Sequence, residues 1–374
     1  MPDAQDYGDA GCDTLGNLAR HLGGLCLPNL EMLGLGKAHD VKGLSSEVKA
    51  RGAYGKLAEA SPGKDSATGH WELAGIVLDR PFPTYPEGFP REVIDEFEER
   101  IGRKVLGNRP ASGTEIINEL GDQHVATGRP IVYTSSDSVF QLAAHKEVIP
   151  TEELYAMCRT ARKMLTGEHL VSRVIARPFE GSSGDYRRVN SERRDFAVDP
   201  PRPSLLDCIS RNGKPVAGAG KIADLFAGRG LVECEHTADN RETMSRLLSL
   251  MGNYGEGMLM VNLVDFDTLY GHRNDPSGFY DALREFDGFI PVLMERMGSG
   301  DACFITSDHG CDPTYPTTDH TREYALFIAF GANMRNDVDV GIRKSFADAG
   351  RTAADLLGLS CELDGDSFAS LLAG

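Results

Sequence analysis

MLMVNLVDFDTLYGH, residues 258–272, is an apolar run that breaks into an aspartate, Asp267, and a histidine, His272. Two later segments join the same kinds of residue. ACFIT (302–306) leads into Asp308 and His309 in SDHG, and His320 in TDHTREY stands just ahead of the apolar run Ala325–Phe330. Apolar runs of this length, bounded by Gly and polar residues, predict buried strands of a parallel sheet. Open α/β sheets gather their ligands at strand ends. The expected class is therefore α/β, a mainly parallel sheet flanked by helices. A lone Asp-His pair in a loop is ordinarily two unrelated polar residues. Three segments repeating one association of apolar run and ligand-type residues argue for a common site. Mixed His/Asp ligation suits Mn²⁺ or Zn²⁺ and fits Ca²⁺ poorly, and five such residues are enough for two ions.

The chain has 374 residues, enough for two domains with sizeable cores. It is 41% hydrophobic and 25% charged, as ordinary globular proteins are. A net charge of −17 argues against a nucleic-acid partner and against an anionic membrane surface. An anionic substrate must then be drawn in by local cations or metals. Eight cysteines show no CxxC pairing, and several lie in apolar runs, so most are expected to be reduced and buried. Cys311, after His309-Gly310, is read as a bystander rather than a soft ligand. No apolar run approaches membrane-spanning length and no signal peptide is evident, so a cytoplasmic location is expected.

The chain opens on polar loop residues and enters a helix capped by Asp13. Segment 61–79 passes from a Gly- and Ser-containing loop into another helix. PFPTYPEGFP (81–90), dense in Pro and Gly, predicts a linker. Residues 91–180 then alternate: helix 91–100, strand 104–107, helix 114–120, strand 131–134, helix 151–165 and strand 171–176. After an irregular stretch (180–203), helices are predicted at 204–211, 240–251, 276–297 and 346–357. Strands are predicted between them at 215–219, 258–264, 302–306 and 325–330. The expected organisation is a core domain (1–82 and 201–374) split by an inserted α/β cap (83–200), with all metal candidates in the core.

GKDSATGHWE (63–72) offers Ser66 and Thr68 beside Lys64, Asp65 and His70. A hydroxyl becomes a nucleophile only with a base or a metal to remove its proton. At a helix start it would also face free N–H groups suited to phosphate oxygens. An ordinary capping serine is the competing account of this segment alone. Candidate phosphate cations are Arg173, Arg177, Arg187, Arg188 and Lys221. Singly, each arginine fits a solvated surface charge equally well. Lys221 directly follows an apolar strand in a Gly-rich turn. Asp137, after the strand IVYT, suits a sugar hydroxyl or a cap.

These segments together resemble the bacterial phosphopentomutases of the alkaline phosphatase superfamily. The resemblance runs through PDAQDYGDAGCDTLGN, PNLEMLGLG, GKDSATGHWE, YPEGFP, NRPASGTEI, VYTSSDSV, VIARPF, GKIADLF, NLVDFDTLYGHRNDP, SDHGCDP and TDHTREYALF, essentially the whole chain. It implies an alkaline-phosphatase-like core with an inserted cap, and two Mn²⁺ ions per chain. The implied activity interconverts ribose 1-phosphate, or 2-deoxyribose 1-phosphate, with the 5-phosphate through a phosphorylated enzyme. Pentose phosphates are the implied partners, with a sugar bisphosphate as activator. By position it implies Asp267, His272, Asp308, His309 and His320 as metal ligands. Ser135, Asp137, Val139, Arg173, Ile175, Arg188 and Lys221 are implied at the substrate. Ser66 is implied as the phosphate-accepting residue, where the family typically has threonine, with Thr68 as second candidate. The family also begins with a buried strand ending in a metal-ligating aspartate. That strand should precede MPDAQDYGD, so the natural protein is expected to start upstream of Met1. Asp3, Asp6, Asp9 and Asp13 fall too far along the pattern to replace it. Rival readings are a phosphatase or another phosphomutase on the same core, or a truncated chain with impaired metal binding and no activity, partly folded or merely binding sugar phosphates.

Overall fold

The computed structural model describes residues 1–135 and 138–374. They form two compact units, Met1–Pro81 with Pro200–Gly374, and Phe82–Asp199.

Thirteen strands run in chain order among the described residues. They are β1 (Ala53–Leu57), β2 (Leu106–Pro110), β3 (Ile131–Thr134), β4 (Val139–His145), β5 (Arg173–Ser182), β6 (Asp185–Arg188) and β7 (Arg194–Ala197). The remainder are β8 (Val216–Ala219), β9 (Glu233–Glu235), β10 (Met258–Val261), β11 (Cys303–Ile305), β12 (Ala325–Phe330) and β13 (Val338–Arg343).

In the first unit, β8 lies between β10 and β9 and is parallel to both. A second sheet has the order β11-β12-β1-β13, with β13 parallel to β1 and β12 antiparallel to both of its neighbours. The apolar run 325–330 is thus a buried strand but not a parallel one. The reason lies in where its candidate ligand stands. Asp267 and Asp308 follow β10 and β11, whereas His320 precedes β12. Only reversal of β12 relative to β11 brings the start of one to the end of the other. Along β10 and β11 every residue is half-buried.

β1 has no sequence counterpart among the predicted strands. Its sequence AYGKL carries a glycine at the centre, which weakens the strand signal. Packing explains that glycine: a Cβ on Gly55 would lie 2.5 Å from the Gly341 carbonyl oxygen of β13. β4 is buried on both faces, so it lacks alternation and merges with the preceding strand signal.

Two apolar layers hold this unit. Leu18, Leu33 and Phe330 pack with Ile290 of the long helix Pro276–Arg296, and Leu57, Phe327, Phe346 and Phe368 form a second cluster. Buried carboxylates tie loops to these layers. Asp287 accepts from the backbone N–H of Asn29 and Leu30, at 3.0 and 2.8 Å. Glu72 is completely buried and accepts four hydrogen bonds, from Ala60 N, Ser61 N, Ser345 Oγ and Phe346 N, at 2.7–2.9 Å. Four donors satisfy a buried charge that would otherwise be costly, and they fix the loop leading to Ser66. Cys208 and Cys361, 153 residues apart, are joined as a disulfide, leaving six thiols. Such a long-range pair has no spacing signature, so the expectation that most cysteines are reduced did not single it out.

The second unit is a six-stranded mixed sheet, β2-β3-β4-β5-β6, with β7 also paired to β5. Alternate residues face opposite layers. Val132, Phe140, Leu142 and Val174 pack with Phe97 and Leu154, while Tyr133, Ala143 and Phe179 pack with Ile116 and Ile117. Among the described residues, no helix is long and apolar enough to cross a membrane.

Candidate metal centre

The exit from β10 is pinned before it reaches the site. Asp265 accepts from Asn240 N at 2.8 Å, and Asn240 Oδ1 accepts from Asp265 N at 3.0 Å, both residues being buried. The chain then makes a π-helical turn, Phe266–Tyr270, and a 3-10 turn, Gly271–Arg273, which carry Asp267 and His272. A wide turn of this kind is rare and favours functional sites. Gly271 is required there, because a Cβ would meet Cys311 Sγ at 2.3 Å. Asn274, in a left-handed conformation with φ 49°, donates its amide to Tyr315 O and Thr317 O and so holds the loop before His320.

Three side chains converge as a result. Asp267 Oδ1 lies 3.0 Å from His272 Nε2 and 3.1 Å from His320 Nε2. One ligand atom from each of Asp267, His272 and His320 lies within 4.8 Å of the others. A cation held about 2.1 Å from each ligand would set neighbouring ligands roughly 3 Å apart, so the donor set and its spacing fit a divalent ion. His272 Nδ1–H donates to Thr318 O at 2.6 Å, which leaves Nε2 with its lone pair turned inward. Burial works against charge on Asp267, but the His272 and His320 imidazoles beside it outweigh burial and hold the carboxyl far below the usual range. Burial would lower the His320 pKa, and Asp267 raises it instead.

A second group stands beside the first. The His309 and His320 rings stack with centroids 3.7 Å apart, and paired backbone hydrogen bonds between Gly310 and Thr321 zip their segments together. His309 Nδ1–H donates to Gly310 O at 3.0 Å, and its Nε2 lies 3.3 Å from Asp308 Oδ2. Ser66 Oγ donates to that same Nε2 at 3.1 Å. Burial opposes ionisation of Asp308, yet the neighbouring His309 and His70 hold its carboxyl well below the ordinary range. Burial keeps the His309 pKa low. The five predicted ligands thus fall into two adjacent groups, with the Ser66 hydroxyl at the second.

Ser66 is the first residue of the helix Ser66–Leu73. The N–H groups of that helix start are not left open as the sequence suggested. Asp65 caps them, accepting from Ala67 N and Thr68 N at 3.1 Å each. A carboxylate one residue before the helix reaches those donors first. Thr68 is fully buried and its hydroxyl donates to Asp65 Oδ2 at 2.6 Å, so Ser66 rather than Thr68 presents an oxygen to the histidines. Cys311 packs against Gly271 and its thiol is pushed up by burial, outside either ligand group.

Arg322, two residues beyond His320, was not singled out in the sequence. Its buried guanidinium donates to Ser61 O, Gly63 O and Glu59 O and pairs with Asp3 and Glu59, while its backbone N–H donates to Asp9. It clamps the N-terminal turn and the Ser66 approach loop to the His320 segment. Glu59, 4% exposed, has its carboxyl pushed up to about 9, chiefly by burial, with Arg322 opposing and Glu72 adding to the rise. A raised folded pKa contributes stability that is complete below the unfolded value, about 4.3, and is lost as pH rises towards about 9. Glu59→Gln removes that loss. Its melting temperature relative to the unsubstituted chain is expected to climb steadily between about pH 5 and pH 9. A pH-independent difference in thermal melts would contradict this account.

The remaining predicted residues divide between the units. Lys221 follows β8 at the turn formed by Gly220, whose φ is 87°, and its charge acts on His70. In the second unit, Val139 begins β4 opposite Arg173 of β5, and Ile175 lies two residues further along opposite Asp195 of β7. Arg173 pairs with Asp195 at 3.7 Å. Arg188 ends β6, and its guanidinium lies against Gly113. Ser135 is half-buried just after β3. Asp137 lies outside the described residues.

Residues 221–361 match the Metalloenzyme superfamily, the class that the α/β core and the His/Asp centre define. Phosphopentomutases of Carboxydothermus hydrogenoformans, Acetivibrio thermocellus and Thermotoga maritima are 53%, 54% and 52% identical to this chain. The alignments cover 98%, 98% and 100% of this chain and 94%, 95% and 96% of theirs, respectively. The chain belongs to the phosphopentomutase family, a family of isomerases, and divalent-metal binding is part of its chemistry.

Proposed function

We propose that this chain interconverts ribose 1-phosphate, or its 2-deoxy form, with the corresponding 5-phosphate by relaying a phosphoryl group through Ser66. The observation that carries the reading is the Ser66 hydroxyl, 3.1 Å from His309 Nε2, at the edge of a paired His/Asp centre in a chain of this family. In the first half-reaction the P–Oγ bond of phosphorylated Ser66 breaks and the free hydroxyl of the pentose monophosphate gains the phosphoryl group. A 1,5-bisphosphate results. In the second, the other phosphate returns to Ser66 Oγ and the isomeric monophosphate leaves.

Asp267, His272 and His320 would hold one Mn²⁺ ion and Asp308 and His309 the other. When bound, the ions supply charge that stabilises the transferring phosphoryl group and favours the ionised Ser66 hydroxyl. The chain's own residues do the positioning: Asp65 holds the helix that carries Ser66, and Thr318 O and Gly310 O fix which nitrogens of His272 and His309 face inward. Lys221, Arg173 and Arg188 would bind phosphate, with Ser135, Val139 and Ile175 shaping the sugar contacts, and the second unit acting as a cap. A sugar bisphosphate would charge Ser66 at the outset. The working location would be the cytoplasm, where sugar phosphates are handled.

Incubating the Mn²⁺-loaded chain with ribose 1-phosphate and a trace of sugar bisphosphate tests the reading. Ribose 5-phosphate should accumulate without stoichiometric inorganic phosphate. Release of phosphate in place of isomerisation would make the chain a phosphatase.

A further inference from the structure

Ser66 and Asp308 are 242 positions apart in the chain, yet one imidazole bridges them. His70 is buried, and its Nδ1 lies 2.9 Å from the Ser66 carbonyl oxygen and 3.0 Å from Asp308 Oδ2. Both neighbours are acceptors, so Nδ1 carries the hydrogen and shares it between them. The residue before it makes a second contact with the same loop. A Cβ on Gly69 would stand 1.9 Å from the Asp308 carbonyl oxygen and 2.7 Å from its carbon, so backbone lies directly on backbone at this point. The helix Ser66–Leu73 is therefore seated on the loop after β11 by two consecutive residues. One excludes every side chain larger than hydrogen, and the other supplies a single shared N–H.

We propose that Gly69 and His70 form a positioning pair that sets the spacing between the Ser66 hydroxyl and the Asp308 carboxylate. The proposal rests on the reading of Asp308 as a metal ligand. An N–H held on one carboxylate oxygen fixes the plane of the carboxylate, and with it the direction of the lone pairs left for a cation. Because the same N–H is anchored to the Ser66 carbonyl, rotation of that carboxylate is coupled to displacement of the helix start. His70 is a positioning residue, since its contacts are with Ser66 backbone and Asp308 rather than with reacting atoms.

Mn²⁺ binding isotherms, followed by electron paramagnetic resonance, test this with three variants of the full chain. Asparagine places an amide N–H near the Nδ1 position, whereas glutamine carries its amide one carbon further out. His70→Ala and His70→Gln are expected to weaken one of the two Mn²⁺ sites about 10- to 100-fold and to leave the other unchanged. His70→Asn is expected to restore it to within a few-fold. A merely structural histidine would not discriminate between Asn and Gln in this way. Metal-free thermal melts report folding separately. Unchanged isotherms for His70→Ala, or equal losses for Asn, Gln and Ala, would overturn the positioning role. Turnover of ribose 1-phosphate by the unsubstituted chain is read in parallel. If it fails while the isotherms discriminate as expected, the functional reading falls and the positioning pair stands.

Discussion

Ser66→Ala is expected to abolish interconversion of ribose 1-phosphate and ribose 5-phosphate, lowering kcat by about 10⁴-fold or more. The alanine has no oxygen to accept the phosphoryl group, and removing a covalent nucleophile ordinarily costs rates of that order. Structure makes the substitution clean. Asp65, not Ser66, caps the helix, so the capping hydrogen bonds to Ala67 and Thr68 survive. The Ser66 side chain makes its contact with His309 and is not part of the apolar core. Folding, read by thermal melts, should therefore be near that of the unsubstituted chain. Ser66→Thr keeps a hydroxyl and adds only a methyl, so it should retain activity. Isomerisation by Ser66→Ala at an undiminished rate would remove Ser66 from the reaction and return attention to Thr68, despite its burial.

Asp267→Asn should have the second large effect, on metal binding. Asp267 Oδ1 is the point on which His272 and His320 converge, at 3.0 and 3.1 Å. The amide is nearly the same size but neutral, so shape is kept and the charge that a divalent ion needs is lost. Loss of an outer partner of a ligand already costs 10- to 100-fold in metal affinity, so loss of the ligand charge itself should cost more than about 100-fold at this site. Plasma emission analysis of the dialysed protein would then find about one Mn²⁺ fewer per chain than in the unsubstituted protein. Full retention of the metal would exclude Asp267 as a ligand. The acidic chain makes this loss matter for substrate as well. With a net charge of −17, the phosphate depends on local cations.

Much of this site could be read from the chain alone, and the parts that could not share a cause. Asp267, His272, Asp308, His309 and His320 were visible because each stands next to an apolar run, and apolar runs report burial locally. Ser66 was visible as one of two hydroxyls in a single segment. The resemblance put Ser66 ahead of Thr68, and Asp65 takes up the Thr68 hydroxyl. His70 had a local signal that went unused, since a residue four positions after Ser66 on a helix returns to the same face. Its second partner, Asp308, had none. Arg322 looked like one charge among many, and only its burial beneath the carbonyls of Glu59, Ser61 and Gly63 distinguishes it.

The residues themselves determined the α/β class, the order of the segments that carry the candidate ligands and the chemical character of the proposed centre. Those features rest on local periodicity and on side-chain type, which any short window of sequence displays. Tertiary structure alone decided that β12 runs against β11, that the five candidate ligands divide into two adjacent groups, and that Cys208 meets Cys361. It alone placed the Ser66 hydroxyl on an imidazole 243 residues away. Contacts of that range are paid for by the burial of whole layers rather than by any neighbour in sequence, so no local pattern records them.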